Sequence, residues 1–304
     1  SGASEGAGGV TVPQAQASTI IGLLQPRITV RNMGAQVHDM PAGELRNARV
    51  ASAPTASYGP ENGAIGESEP TFDKVDEKFR TLSCLVPVGN ALLRHSSASV
   101  GKICRDLIIS QMGLKADLGF LRFDGTADRP KGLRHWVLPG YWQAGVANTV
   151  AAVEAAINQA VSVVEDSNIP MLKPGWIMRA STKNFLAALR DPNSGQKIYP
   201  EIETSAQLKG YPIAVTSQVP NNLGVGSNET EITFCDFSEI MIGESQQITF
   251  ATSTEAAFVD TNGDLISAFQ RNLTLMRAIA EHDLAPAHSE AISGITGVNW
   301  TLGA

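Results

Sequence analysis

Apolar residues recur with a helical period in the segment that follows residue 98. The stripe consists of Val100, Ile103, Cys104, Leu107, Ile108 and Met112, at i, i+3, i+4, i+7, i+8 and i+12. It predicts a helix over residues 98–118, which at about 1.5 Å per residue would be about 30 Å long. A helix of that length can act as the backbone of a domain, and we expect Ile103, Leu107 and Ile108 to face its core.

Two further helices and several strands are predicted downstream. The spacing of Val150, Val153, Ile157, Val161 and Val164 predicts a helix that ends near Asn168. A third helix is expected to begin after Ser181, which would be its N-cap, and to end before Pro192. Extended segments are predicted at 28–37, 211–216, 231–234, 239–242, 248–252 and 265–281. This irregular mixture, without an internal repeat, favours an α+β fold.

The N-terminal segment is glycine-rich and then apolar. Residues 1–12 are small and polar, which predicts a flexible arm. A short helix is predicted after Pro13, with its apolar face supplied by Ile20, Ile21, Leu23 and Leu24. The chain begins at Ser1 without Met, in a stretch of the kind that proteases cut. We therefore expect a longer encoded precursor with a helical, charged segment before Ser1.

Residues 44–82 have the pattern of a long polar hairpin. Its arms, 44–53 and 71–82, have extended character, and the tip between them is rich in Gly, Pro, Ser and Glu. Tyr58 and Ile65 are the only sizeable apolar groups of the tip. So little apolar surface cannot offset the entropy lost on ordering. A connection this long within a compact domain is functional or disordered. We therefore predict that it lies across another molecule.

Composition narrows the function classes. The chain has 304 residues, of which 43% are hydrophobic and 17% charged, as in soluble globular proteins. A net charge of −7 argues against broad electrostatic capture of nucleic acid. Neither a signal peptide nor an apolar run of about 18 residues is present, so no membrane association is predicted. Cys84, Cys104 and Cys235 are scattered and odd in number, which predicts buried, reduced thiols of a cytosolic protein and not a disulfide framework.

Catalytic and metal-binding patterns are missing from the sequence. His282 and His288 are six residues apart, whereas the histidines of common zinc pairs are separated by three to five. His38, His95 and His135 are isolated. No catalytic, cofactor-binding or metal-binding residue is therefore predicted, and no cofactor is expected.

Four motifs, in this order, resemble those of tailed-bacteriophage major capsid proteins with the Hong Kong 97-like fold. They are Phe123-Asp124-Gly125 through Pro130-Lys131-Gly132-Leu133; Leu208-Lys209-Gly210-Tyr211-Pro212-Ile213 followed by Val219-Pro220; Phe234-Cys235-Asp236-Phe237 with Ile240-Met241-Ile242-Gly243; and Phe269, Arg277-Ala278 and Asp283. Two departures are Cys235, where the family commonly has Gly, and Glu281-His282-Asp283 in place of a typical Arg-x-Asp. The resemblance spans essentially the whole chain.

The resemblance implies an α+β Hong Kong 97-like capsid fold with a defined order of domains. Residues 1–43 would form the N-terminal arm and short helix, 44–82 the extended loop, 83–146 the peripheral domain with its spine helix, 147–246 the axial domain, and 247–304 the return strands and C-terminus. It also implies that the extended loop lies over a neighbouring subunit.

The function implied by the resemblance is structural, not enzymatic. The chain would self-assemble into pentamers and hexamers of an icosahedral phage head that encloses double-stranded DNA without sequence-specific binding. Portal, scaffolding and decoration proteins would be its other partners. It would be found in the virion, after assembly in the cytoplasm of the host bacterium.

Some family members join an extended-loop lysine to an asparagine of a neighbour, promoted by a glutamate. Lys74, Asn272 and Glu281 are the matching residue types here, and the alternative is an ordinary surface Lys, strand Asn and strand Glu. Two other functions remain open from sequence. One is an encapsulin-like cellular shell of the same fold, although encapsulins usually begin with a helix and not a glycine-rich arm. The other is a cytosolic enzyme in which residues 44–82 form a mobile lid.

Overall fold

The computed structural model describes residues 28–58, 66–95 and 100–300. The predicted arm and the helix after Pro13 lie outside these residues. The helices are α1 (Asn90–His95), α2 (Val100–Arg122), α3 (Leu133–Trp136), α4 (Val150–Glu165), α5 (Ala180–Ala188) and α6 (Glu201–Ser205). The strands are β1 (Gln36–Asp39), β2 (Glu44–Ser52), β3 (Thr71–Lys78), β4 (Arg80–Gly89), β5 (Trp142–Ala144), β6 (Pro174–Met178), β7 (Gln207–Leu208), β8 (Tyr211–Val215), β9 (Thr230–Asp236), β10 (Ile240–Ser253), β11 (Ala257–Val259), β12 (Leu265–Ser267), β13 (Leu273–Pro286) and β14 (Ile292–Val298).

The chain forms two compact units. Of the described residues, the smaller comprises 85–95, 100–108 and 252–276, and the larger comprises the others. In the smaller unit β11 and β12 form an antiparallel hairpin. Asn90 fixes the turn before β13 in the same unit, because its backbone N–H donates to the Asn272 carbonyl over 3.0 Å. Its side-chain amide also donates to Asn272 Oδ1 over 2.8 Å.

A six-stranded sheet organises one core of the larger unit. Its order is β5-β14-β9-β6-β8-β7. Helix α4 buries Val153, Ile157 and Val164 in the cluster that also contains Trp176 and Phe234 of the sheet. The helix starts at Thr149, whose side chain accepts a hydrogen bond from the Ala152 N–H and so caps the N-terminus.

A four-stranded sheet, in the order β1-β10-β13-β4, contributes side chains to a second core in the larger unit. This core joins Phe120 and Leu121 of α2 to Phe237, Ile242 and other apolar residues of the strands and turns. The segment before β1 is fastened to α2 by a buried carboxylate. Asp117 accepts hydrogen bonds from the backbone N–H groups of Thr29 and Val30 over 3.0 and 2.8 Å. Burial raises the pKa of Asp117, and these donors oppose that rise.

Helix α2 confirms the long predicted helix but corrects its buried face. It continues to Arg122, four residues beyond the predicted end. Leu107 is 39% exposed, so its placement in the core was wrong. The buried positions of α2 include Ile108, Met112, Ala116 and Phe120, which are spaced by four. A stripe with that spacing drifts slowly around a helix of 3.6 residues per turn, and it leaves Leu107 on the neighbouring face.

The third predicted helix begins earlier than expected. Helix α5 starts at Ala180, and its N-cap is Arg179, whose side chain makes no capping bond. Ser181 therefore lies inside the first turn and is not the cap. The reason is that β6 ends at Met178 and the chain turns directly into the helix. Arg179 instead donates through Nη1 to the carbonyl of Ser217 over 3.2 Å.

Several predicted strands have different limits. Residues 30–34 form a turn, in which the Met33 N–H donates to the Thr29 carbonyl, so only part of 28–37 is extended. The predicted strands 239–242 and 248–252 are one strand, β10. The predicted segment 265–281 is interrupted before β13, where Asn272 has a φ of 53°. Strand β14 was not predicted, and it pairs with β9 in the six-stranded sheet.

Candidate functional site

Residues 44–78 form the predicted hairpin, whose two strands neutralise each other's charges. Strands β2 and β3 are antiparallel, in a register that places Arg46 opposite Asp76 and Arg49 opposite Asp73. Each arginine lies 2.7 Å from its aspartate. The Lys74 N–H and then Arg49 hold the pKa of Asp73 below its usual range, and Arg46 and then the Lys74 side chain do the same for Asp76. The hairpin thus stiffens itself without a hydrophobic core.

The described part of the tip, residues 53–58 and 66–70, contacts little but itself. The Ser68 hydroxyl accepts a hydrogen bond from the Thr55 N–H over 2.9 Å and lies 3.2 Å from the Thr55 carbonyl. No other side-chain hydrogen bond involves these eleven residues. Tyr58 is fully exposed, and Phe72 at the start of β3 is 71% exposed. Large exposed aromatic groups on a projecting hairpin indicate a surface that another molecule covers.

The root of the hairpin is fixed by backbone geometry. Gly43 has a φ of 74°, a left-handed conformation that favours glycine, and an added Cβ would lie 2.8 Å from the Phe79 ring. The Gly43 carbonyl accepts a hydrogen bond from the Phe79 N–H over 2.8 Å. Beside it the Lys78 N–H donates to the Asp283 carboxylate over 3.0 Å. The hairpin therefore leaves the four-stranded sheet at a defined place.

The arms also contact the larger unit, which the sequence did not indicate. Arg49 donates through Nη1 to the Ala287 carbonyl over 3.2 Å. Val75 is buried. Val50 of the hairpin and Ile169 and His288 of the larger unit line a small pocket of about 280 Å³. The arms are therefore anchored to their own subunit, whereas the described part of the tip is not.

A buried carboxylate sits at the root. Glu77 Oε2 lies 2.7 Å from His38 Nε2, while Glu77 Oε1 has no hydrogen-bond partner. Burial raises the pKa of Glu77, and the nearby Asp283 raises it further, whereas His38 opposes the rise. The carboxylate fits only because position 243 is glycine, since a Cβ there would lie 2.6 Å from Oε2. Sequence periodicity could not reveal this pair, because its partners are 39 residues apart.

Cations and aromatic rings alternate around the turn that follows α2. Lys115 Nζ and Arg129 Cζ each lie 5.3 Å from the centroid of the Phe123 ring. Lys131 Nζ lies 3.9 Å from the Trp136 ring. Asp124 pairs with Lys131 in an isolated antiparallel bridge, which closes the turn. The signal available in the sequence was the aromatic-Gly…Pro-x-Gly motif, but not the stacking of the cations.

The three residues of the predicted crosslink each have a local partner or pocket. Lys74 Nζ lies 3.1 Å from Asp76, and the Asn272 amide is bonded to Asn90. Asn272 lies in a turn and not in a strand. Glu281 lines a pocket of about 440 Å³ between α2 and the strands of the larger unit. These contacts within one subunit do not test a bond between two subunits, so the crosslink stays a prediction.

The predicted lack of a metal site also stays a prediction. Among the residues that the structure describes, no group of three His, Cys, Asp or Glu side chains is placed to hold a metal ion. His282 is buried edge-on against the Phe120 ring at 5.0 Å, and burial lowers its pKa to about 4. Cys84, Cys104 and Cys235 are free thiols, but only Cys235 of the three is buried, so the prediction of burial was wrong for Cys84 and Cys104. No helix within the described ranges is both long and apolar enough to cross a bilayer.

Comparisons with known proteins agree over almost the whole chain. The phage capsid family matches residues 8–297. The major capsid protein of Klebsiella oxytoca phage phiKO2 is 38% identical over 299 residues, which cover 96% of this chain and 69% of that protein. The capsid polyprotein of Pseudomonas phage PAJU2 is 27% identical over 256 residues, covering 77% of this chain and 37% of that protein.

Solved structures show the same fold at low sequence identity. The capsid of a native GTA particle has a TM-score of 0.77 at 18% identity, and the match covers 97% of both chains. A structure from Mycobacterium phage Bobi has a TM-score of 0.77 at 17% identity, covering 96% of this chain and 97% of that one. The fold is the predicted Hong Kong 97-like α+β fold. The chain belongs to the phage capsid family, and its role is that of a structural shell protein, not an enzyme.

Proposed function

We propose that copies of this chain form the pentamers and hexamers of an icosahedral phage head that encloses double-stranded DNA. The hairpin of each subunit would lie over its neighbour. The observation that carries the proposal is the described part of the tip, whose side-chain hydrogen bonds are internal and whose Tyr58 is fully exposed, as is most of the Phe72 side chain beside it. Such a segment gains its stabilising contacts from another copy.

A hairpin of this construction suits repeated assembly. Its arms are held in one geometry by a ladder with eight paired positions and by the root at Gly43. A pre-ordered arm loses little conformational entropy when it docks. Each contact can be weak, because a closed shell repeats it in every subunit and the contacts act together.

The domain division is part of the proposal. We assign residues 1–43 to the arm, 44–82 to the extended loop, 83–146 to the peripheral domain, 147–246 to the axial domain and 247–304 to the return strands. The pairing of β14 with β9 supports one change, which moves Ile292–Val298 to the axial domain. That strand contributes Ile295 and Val298 to the core beneath α4.

Assembly into a phage head implies further protein partners. A portal, a scaffolding function and decoration proteins would contact the shell, and assembly would take place in the cytoplasm of the host bacterium. The net charge of −7 suits a wall that holds DNA without binding it strongly. A wall lined with Lys and Arg would retain the genome through its phosphates and hinder its movement.

Sedimentation and electron microscopy of the full chain test the proposal. We expect capsomers or closed particles, whose proportion rises with protein concentration. A monodisperse monomer at every salt and protein concentration would contradict it. Particles without fivefold and sixfold clusters would contradict the icosahedral part alone.

A further inference from the structure

The end of α2 and the turn that follows it carry three cations, of which Lys115 belongs to the helix and Arg129 and Lys131 to the turn. Lys115 and Arg129 share the Phe123 ring, and Lys131 lies over Trp136. None of the three cations makes an ion pair within the part of the chain that the structure describes. Ring contacts of this kind hold a cation in place without neutralising its charge. We call residues 115, 123, 129, 131 and 136 the cation–aromatic turn.

The two carboxylates of the same turn are already engaged. Asp124 accepts hydrogen bonds from the backbone N–H and the hydroxyl of Thr126, over 3.0 and 2.8 Å. Asp128 lies 3.3 Å from Arg80 Nη1. Lys115, Arg129 and Lys131 therefore form a local positive surface on a chain whose net charge is −7. Lys115 and Arg129 are exposed.

The hairpin tip has the opposite composition. Residues 53–72 contain Glu61, Glu67 and Glu69 but no Lys or Arg. Glu67 and Glu69 are exposed, and neither makes an ion pair with a described residue. Within residues 53–58 and 66–70, the side-chain hydrogen bonds are those between Thr55 and Ser68, so this part of the tip makes none to the turn of its own subunit.

We propose that the cation–aromatic turn is the docking surface for the hairpin tip of a second copy of this chain. Glu67 and Glu69 of one subunit pair with Arg129 and Lys131 of the other. Arg129 presents a planar donor fork to a carboxylate, which favours a bidentate contact. Because the rings already order both cations, docking costs little side-chain entropy. The inference rests on the proposed function and assigns the acceptor of the hairpin.

Duplex DNA is the rival occupant, and the structure favours the protein tip. A phosphate backbone selects a broad surface of Lys and Arg. Here Asp124 and Asp128 interrupt the cations along the chain, which limits the positive surface that a phosphate backbone would follow, whereas two glutamates need only two cations. The exposed Phe72 beside the tip also offers an apolar ring for contact with the half-buried Trp136 of the turn.

Charge reversal and its rescue test the docking surface. Three variants of the full chain are compared with wild type: E67K/E69K, R129E/K131E, and the quadruple variant that combines them. We expect each double variant to form at least ten-fold fewer particles, with an unchanged circular dichroism spectrum. The quadruple variant should recover particles, because the charges are again complementary in every pair of copies.

The matched control is K209E, since Lys209 also lies over a ring, that of Tyr199, at 5.7 Å. It should assemble normally, and an equal loss of particles would overturn the assignment to the turn. Two other results would overturn the proposal: normal particles from both double variants, or folded quadruple subunits without recovery. Normal particles from R129E/K131E with weaker, salt-dependent duplex binding would identify a DNA surface instead. Wild-type subunits that stay monomeric would contradict the proposed function itself, and the docking surface with it.

Discussion

His38 Nε2 lies 2.7 Å from Glu77 Oε2 at the root of the hairpin. The carboxylate is buried, its other oxygen is unpaired, and Asp283 adds a second negative group nearby. The pKa of Glu77 is raised, so its environment favours the neutral form despite the histidine. The position from which the hairpin leaves the sheet is therefore tied to a carboxyl group that is costly to ionise.

The first prediction concerns Glu77→Gln. A raised pKa means that the stabilising effect of the protonated form is present at low pH and is lost as the pH rises through the folded-state value. Gln keeps the shape and an acceptor for His38 but cannot ionise. We expect a melting temperature about 2 °C or more above wild type at pH 7, with no difference near pH 4. Melting curves at several pH values measure this.

The control for that experiment is Asp76→Asn, an exposed carboxylate of the same strand whose pKa is lowered by Arg46. Its loss should not raise the melting temperature at pH 7. Equal pH profiles for wild type and Glu77→Gln would show that the buried carboxyl does not govern the stability of the root.

The second prediction concerns His282, for which stability falls as the pH drops, opposite to the dependence expected for Glu77. Its pKa is lowered to about 4, so the unfolded chain takes up the proton first and stability falls as the pH drops from about 6.5 towards 4. At about 1.4 kcal/mol per pKa unit, the loss is about 3 kcal/mol. Replacing His282 with Phe keeps an aromatic contact with Phe120. Urea unfolding of this variant should show a smaller loss across that range, and an unchanged loss would assign acid sensitivity to other groups.

The third prediction compares neighbours on α2. Ile108 is buried and Leu107 is 39% exposed. Ile108→Ala should lower the free energy of unfolding by about 2–5 kcal/mol, because it leaves a cavity. Leu107→Ala, the matched control, should change it by less than about 1 kcal/mol. Chemical denaturation of both variants measures the difference, and equal effects would place the core on a different face.

The fourth prediction separates the tip from the arms. Residues 53–70 are replaced by a short Gly-Ser turn that keeps the hydrogen bond between Ser52 and Thr71. We expect near-normal melting of the subunit, since residues 53–58 and 66–70 make side-chain hydrogen bonds only among themselves, and loss of closed particles in electron micrographs. Intact particles would make the tip dispensable. Collapse of the subunit would make it part of the fold.

The order of elements was predictable where a period or a turn motif marks it. Helices α2 and α4 and the hairpin were confirmed because their patterns are local. The exposed face of Leu107 was missed, since a stripe at i+3 and i+4 does not tell which of two adjacent residues meets the core. Strand β14 was missed because its partner β9 lies about 60 residues earlier, so its pairing is a tertiary choice.

The candidate site was predictable only in outline. A tip with Ile65 as its single large aliphatic residue indicated a partner, since it cannot bury enough surface alone. The arms' contacts with the rest of the subunit, such as Arg49 with the Ala287 carbonyl, join residues far apart in sequence. Lys115 and Arg129 are separated in sequence, and only the folded chain places both of their charged groups beside the Phe123 ring.

The internal ladder of the hairpin has a consequence for how such a protein can diverge. Arg46 and Arg49 use their charges on Asp76 and Asp73 within one subunit, so the arms keep their geometry whatever the tip contains. Substitutions between residues 53 and 70 can then alter which subunits recognise one another while the supporting strands remain folded. Under the proposed docking, selection can therefore change the contact between subunits one substitution at a time, and each intermediate sequence still folds.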